Sequence, residues 1–177
     1  MKIAVWCASE RGASPAYALA ARTLGAEIAR RGHGLVYGGS SGGLMGEVAD
    51  SCLAAGGPVT GITVNVPKII ARRHPGLTAY ETSPDLITRK AHMIELADAF
   101  VALPGGPGTL DELGDVVTLL RARVSTKPIA LVNVEGFYDP LSELFDRMVQ
   151  VGFADPSDFQ RVLIADDVEA ALAFVGA

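Results

Sequence analysis

The stretch Ala99-Phe100-Val101-Ala102-Leu103-Pro104-Gly105-Gly106-Pro107-Gly108-Thr109-Leu110-Asp111-Glu112 decides the architecture. Five consecutive apolar residues read as a strand buried on both faces, and the prolines and glycines that follow end it abruptly. Apolar residues then recur at helical spacing from Leu110 to Arg123. A buried strand feeding a helix through a tight turn is the unit of a parallel sheet covered on both sides.

The same unit repeats along the chain. Strands are expected at Lys2 to Ala8, Gly34 to Tyr37, Val59 to Val64, Leu77 to Glu81, Ala99 to Leu103, Pro128 to Asn133 and Val162 to Ala165. Helices are expected at Ser14 to Arg31, Leu44 to Ala55, Asp85 to Leu96, Leu110 to Arg123, Pro140 to Val151 and Val168 to Val175, with an irregular connection from Pro67 to Pro75. Such alternation predicts an α/β fold, a Rossmann-like doubly wound parallel sheet with helices on both faces. No repeat, linker or low-complexity segment interrupts it, so residues 1–177 are expected to form a single Rossmann-like domain.

Composition narrows the functional classes. A chain of 177 residues, 49% hydrophobic and 20% charged, has enough apolar surface to bury one core, and its longest apolar runs fall far short of the ~20 residues of a membrane span. Net charge is −5 and the basic residues are scattered, which argues against nucleic-acid binding. Cys7 and Cys52 lack C-x-x-C spacing and read as core residues. No cluster of His, Asp and Glu has metal-ligand spacing, so neither metal nor cofactor is implied. The amino-terminal residues lack the long apolar run of a leader, and a cytoplasmic protein is expected.

Ligands of doubly wound sheets sit beyond the carboxyl ends of the strands, where both glycine clusters fall. In Gly105-Gly106-Pro107-Gly108-Thr109, glycines let backbone N–H groups converge on an anion, and the next helix adds its positive end. Thr109-x-x-Glu112 also matches a capping box, so Glu112 reads equally as a helix cap and as a functional carboxylate. The cluster Gly38-Gly39-Ser40-Ser41-Gly42-Gly43-Leu44-Met45-Gly46 could form a second wall of the same anion site. It contains G-x-S-x-G, yet only His74 and His92 follow as bases, and His92 falls inside a predicted helix. Arg89-Lys90 lies in a predicted helix, where cations are usually solvated.

Taken together, Tyr37-Gly38-Gly39, Gly43-Leu44-Met45-Gly46, Arg89-Lys90 with Met93, and Leu103 through Glu112 resemble the LOG (Lonely Guy) family, cytokinin riboside 5'-monophosphate phosphoribohydrolases long labelled lysine decarboxylases. The resemblance covers nearly the whole chain. It implies a homodimer that hydrolyses the N-glycosidic bond of adenosine-type 5'-monophosphates. It implies Arg89 and Glu112 as catalytic residues. Ser9, Gly39, Gly43, Met45, Lys90, Gly105, Gly106, Gly108 and Thr109 are the expected substrate contacts, with Ser9, Gly106, Gly108 and Thr109 holding the 5'-phosphate.

Where the family pattern reads M-H-E-R-K, this chain reads Leu86-Ile87-Thr88-Arg89-Lys90. The change falls near the expected base site and makes AMP, rather than an N6-substituted adenine nucleotide, the first substrate to consider. Met93, Val117 and Leu120, on two of the expected helices, either pack across the dimer two-fold or serve the core. A nucleotide or cofactor carrier of the same fold is the alternative. A pyridoxal phosphate decarboxylase would need a Schiff-base lysine, and Lys2, Lys68, Lys90 and Lys127 stand in no telling context.

Overall fold

The computed structural model describes residues 1–177. Strands and helices alternate throughout: β1 (Lys2–Trp6), α1 (Pro15–Arg30), β2 (Gly34–Tyr37), α2 (Gly43–Ala54), β3 (Val59–Val64), α3 (Pro67–Ile70), β4 (Ala79–Ser83), α4 (Leu86–Leu96), β5 (Ala99–Ala102), α5 (Pro107–Arg121), β6 (Ile129–Val132), α6 (Asp139–Gln150), β7 (Val162–Ala165) and α7 (Val168–Val175). Short 3-10 turns at Val134–Gly136 and Pro156–Phe159 flank α6.

The strands form one sheet in the order β4-β3-β2-β1-β5-β6-β7, and all pairs run parallel. The doubly wound fold expected from the alternation is therefore present. Strand order proceeds one way from β1 to β4 and the other way from β5 to β7. The connections leaving β1 and β5 diverge to opposite faces, which opens a crevice at their carboxyl ends.

Burial explains why the strands lack polar alternation. Ile3, Val5, Leu35 and Val101 pack on one face with Leu24 and Ile28 of α1, Val48 of α2 and Leu172 of α7. On the other face Ala4, Trp6, Phe100 and Leu131 pack with Met93 of α4 and Val116 and Leu120 of α5. Met93 and Leu120 are thus core residues rather than dimer contacts, and Val117 packs against the same cluster. The apolar residues left exposed on α4, on α5 and just after it include Leu86, Ile87, Leu110 and Val124.

Most boundaries fall within one or two residues of expectation, and the differences with a clear cause are these. Helix α5 starts at Pro107, three residues early, because Pro at the first helical position has the right φ and no N–H to leave unpaired. Strand β4 starts at Ala79 rather than Leu77, whose side chain covers Gly61 of β3 instead of joining the ladder. The connection after β3 contains the single turn α3.

Candidate active site

The crevice is built where β1 and β5 end. The Ala8 N–H donates to the Pro104 carbonyl at 3.2 Å, which joins the two loops, and the buried Tyr138 hydroxyl donates to Leu103 O at 2.8 Å. Cutting that second bond would strand a buried acceptor at a cost of about 1–3 kcal/mol. The backbone entering the glycine turn is therefore anchored from both sides.

At the head of α5 the capping-box alternative fails. Gly106 is the N-cap and supplies no side-chain bond, while Thr109 lies inside the first turn. The Thr109 side chain packs against Gly105, where a Cβ would stand 2.1 Å from its Oγ1; residue 105 must be glycine. Around Gly106 and Gly108 there is open space, and neither has a positive φ. The N–H groups of Gly105 and Gly106 donate to no other backbone group.

Glu112 falls in the second turn of α5 and points into the molecule. Its Oε1 accepts from Arg89 Nη1 at 3.1 Å, with side chains only 11% and 15% exposed respectively. Arg89 Nε donates to Ile62 O at 2.8 Å, which fixes the guanidinium against β3. Burial holds the Glu112 carboxyl above the usual glutamate range, with Arg89 opposing, Asp111 adding and Lys90 opposing. Cys7 lies beneath, its thiol pushed far up by burial and then by the charge of Glu112.

Next to this pair is a cavity of about 240 Å³. Ser9, Gly39, Met45 and Arg89 line it as expected residues, and Ile69, Arg72 and Leu86 line it unannounced. The other expected residues lie elsewhere. Gly43 has φ +59, and a Cβ on it would stand 2.2 Å from the Ser9 carbonyl carbon. That glycine shapes the crevice by packing. Lys90 turns away from the cavity to ion pairs with Asp111 and Asp115, both at 2.8 Å, and these hold its pKa above the usual lysine value.

The second glycine cluster walls the cavity through Gly38, Gly39, Ser40 and Met45, but the head of its helix is not as free as that of α5. The Leu44 and Met45 N–H groups, in the first turn of α2, donate to the Ala8 carbonyl at 3.1 and 3.3 Å, so these two donors are spent on the loop after β1. Nor is Ser40 part of a hydrolase triad. Its Oγ accepts from Gly42 N, while the two ring nitrogens of His74 are taken by Asp50 and by the Gly76 N–H.

The wall formed by Ile69 and Arg72 was missed because residues 67 to 75 carry no periodicity. The run Arg72-Arg73-His74, three basic residues in an acidic chain, was the available signal.

Fold and site together define a doubly wound α/β protein with a free glycine-rich helix start beside a buried carboxylate–guanidinium pair. A family model described as "Possible lysine decarboxylase" matches residues 45–175. A cytokinin riboside 5'-monophosphate phosphoribohydrolase of Rhodococcoides fascians is 38% identical over 98% of this chain and 88% of its own length. LOG7 of Arabidopsis thaliana, with the same activity in its name, is 42% identical over 88% of this chain and 71% of its own. A probable enzyme of that name, LOGL5 of Oryza sativa subsp. japonica, is 40% identical over 93% of the chain, which spans 66% of that relative. The chain belongs to this family, the LOG family that its motifs resemble. Among solved structures, the Moco carrier protein of Chlamydomonas reinhardtii superposes with a TM-score of 0.74, at 24% identity over 99% of this chain and 94% of its own, a likeness of fold.

Proposed function

We propose that the protein hydrolyses the N-glycosidic bond of nucleoside 5'-monophosphates of the AMP type, releasing the free base and ribose 5-phosphate. The buried Glu112–Arg89 pair directly behind the bare start of α5 carries this reading. The names of the relatives, at about 40% identity, support it. The N–H groups of Gly105 and Gly106, with the positive helix end, suit a compact dianion. Clearance above Gly106 and Gly108 suits its close approach.

A phosphate held at that loop would set C1' of the sugar near Glu112. The glycosidic bond breaks with its electron pair going to the base nitrogen, and positive charge grows on C1' and the ring oxygen. Ionised Glu112 stabilises that charge and takes a proton from the water whose oxygen bonds to C1'. The proton departs with the base. A carboxyl held above its ordinary range is better matched to accepting a proton near neutral pH. Arg89 orients Glu112 and keeps Nη2, close under Gly38, on the side of the leaving base.

A lysine decarboxylase reading fits poorly. Lys90 is held by two aspartates and Lys127 Nζ donates to the Ile94 and Glu95 carbonyls, so neither is an amine poised in the cavity. The carrier alternative shares the fold, but mere binding gives no reason to bury an ionisable carboxylate against a guanidinium. Incubating purified protein with AMP and assaying free adenine and ribose 5-phosphate tests the choice. Stable binding without release would favour a carrier.

The assembly proposed is a homodimer. Ile87 and Val124 are 78% and 72% exposed and line an open concavity of about 800 Å³ along α4 and α5. Burying such a patch against its own copy is the commonest route to a dimer. Light scattering should read twice 18.4 kDa. No helix is long and apolar enough to cross a membrane, and the buried free thiols of Cys7 and Cys52 suit the proposed cytoplasmic setting.

A further inference from the structure

The cavity beside Arg89 is smaller than the ~300–1,000 Å³ typical of sites that enclose a whole ligand, so it suits one moiety of the nucleotide. With phosphate at the head of α5 and C1' at Glu112, the base is what remains. Leu86, Ile69 and Met45 offer apolar contact for its faces.

Two buried side chains of the lining carry hydrogen-bonding capacity that the protein does not use. Arg89 spends Nε on the Ile62 carbonyl and Nη1 on Glu112, but Nη2 donates to nothing. That nitrogen lies directly under Gly38, where a Cβ would stand 2.8 Å away. Thr63 follows Ile62 on β3 and lines the cavity with 2% of its surface exposed. Its hydroxyl has no partner in the protein, and it is not one of the unpartnered atoms sealed from all open space, which are Trp6 Nε1 and the Tyr80 hydroxyl.

Strand propensity explains a β-branched residue at position 63 but not the hydroxyl, since Val59 and Val64 in the same strand are buried without one. A buried hydroxyl left unpaired costs free energy, and a ligand that pairs with it removes the cost. The other polar groups of the lining are more open or already engaged. Ser9 and Ser40 are half-buried, Ser40 Oγ accepts from the Gly42 N–H, and Arg72 is 56% exposed beside Glu10.

A free donor on Arg89 and a hydroxyl able to accept, one residue along β3 from the carbonyl that anchors it, match an edge with an acceptor next to a donor. Adenine presents such an edge in N7 and the 6-amino group. We infer that Thr63 is a specificity-determining residue, its hydroxyl accepting from the 6-amino group while Arg89 Nη2 donates to N7. This rests on the hydrolase reading of the site and extends it to how the base is recognised. An adenine with one N6 substituent keeps an N6–H, so the same contact serves AMP and its N6-substituted relatives.

The test compares AMP with purine riboside 5'-monophosphate, which lacks only the 6-amino group, in wild type, Thr63→Val and Thr63→Ser. Both kcat/KM and calorimetric Kd are measured. Wild type should favour AMP by about tenfold, in the range of one buried hydrogen bond. Thr63→Val removes the hydroxyl at similar volume and should bring the ratio close to one, whereas Thr63→Ser should keep most of it. Each ratio is taken within one protein, so a change in stability cancels. No preference for AMP in wild type, or a ratio that Thr63→Val leaves in place, overturns the assignment. If both nucleotides bind and neither is cleaved, the hydrolase reading falls and the Kd ratios still decide whether Thr63 reads the amine. If neither binds, both readings fall.

Discussion

The two strand–glycine–helix turns look alike in sequence and do opposite things. In the turn of residues 38 to 46, Gly43 is forced by a positive φ and by contact with Ser9, and the Leu44 and Met45 N–H groups in the first turn of α2 are consumed by Ala8. In the turn of residues 104 to 109, Gly106 and Gly108 face open space and the N–H groups of Gly105 and Gly106 stay free of the backbone. One turn uses glycine to fit the protein to itself; the other leaves room for something else. What separates a structural glycine from a binding one is whether the protein's own atoms require it.

The comparison can be broken first at Gly43. Gly43→Ala incurs the left-handed penalty and a backbone collision, together about 3 kcal/mol. Its Tm should fall by about 6–12 °C for a domain of this size, read by calorimetry. An unchanged Tm would erase the structural half of the contrast.

Next comes the phosphate. Free donors at the α5 turn imply that adenosine loses several charge-assisted hydrogen bonds, and its kcat/KM should be lower than that of AMP by at least about a hundredfold. Equal rates would leave the α5 glycines serving only the turn.

Gly108→Ala sharpens the contrast through opposite signs. Residue 108 lies within the first turn of α5 with clearance for a Cβ, so alanine should raise Tm by about 1–3 °C through helix propensity. Turnover of AMP should nonetheless fall about tenfold as the methyl enters the phosphate's approach. Gains in both would show that nothing approaches there.

The smallest effect is the pH response of Glu112. Its carboxyl is raised in the folded protein by burial, so the acid limb of kcat/KM should lie above the ordinary glutamate range. The same shift stabilises the fold when Glu112 is protonated. That contribution is complete below the unfolded pKa and is lost as pH rises through the folded one. Glu112→Gln should remove this component from the pH dependence of Tm.

Much of this was legible in the sequence, for reasons that differ by residue. The central strands announced themselves because both faces are buried, which leaves unbroken apolar runs such as Ala99 to Leu103, whereas the exposed edge strand β4 has no such run and its start was misplaced. Glu112 and Arg89 were legible through the family motifs, whereas spacing alone left Glu112 open between cap and function. The answer depended on where α5 begins, and Pro107 rather than Thr109 sets that. Lys90 followed Arg89 in the motif, but its aspartate partners lie 21 and 25 residues away and could not be read locally. Arg72 was hidden for the same reason: its place over the cavity comes from hydrogen bonds to Ser41 across the fold.

The account turns on Glu112 acting on the sugar, and one measurement addresses it. Release of adenine from AMP is followed for wild type and Glu112→Gln at matched concentration, with Tm recorded for both. Glutamine keeps the shape and can still accept a hydrogen bond from Arg89 Nη1, but it cannot take a proton or offset a cationic sugar. Turnover should drop by about a thousandfold or more, in keeping with the loss of both general-base and electrostatic assistance, while Tm stays within a few degrees. Near-normal adenine release by the Gln variant would contradict the account.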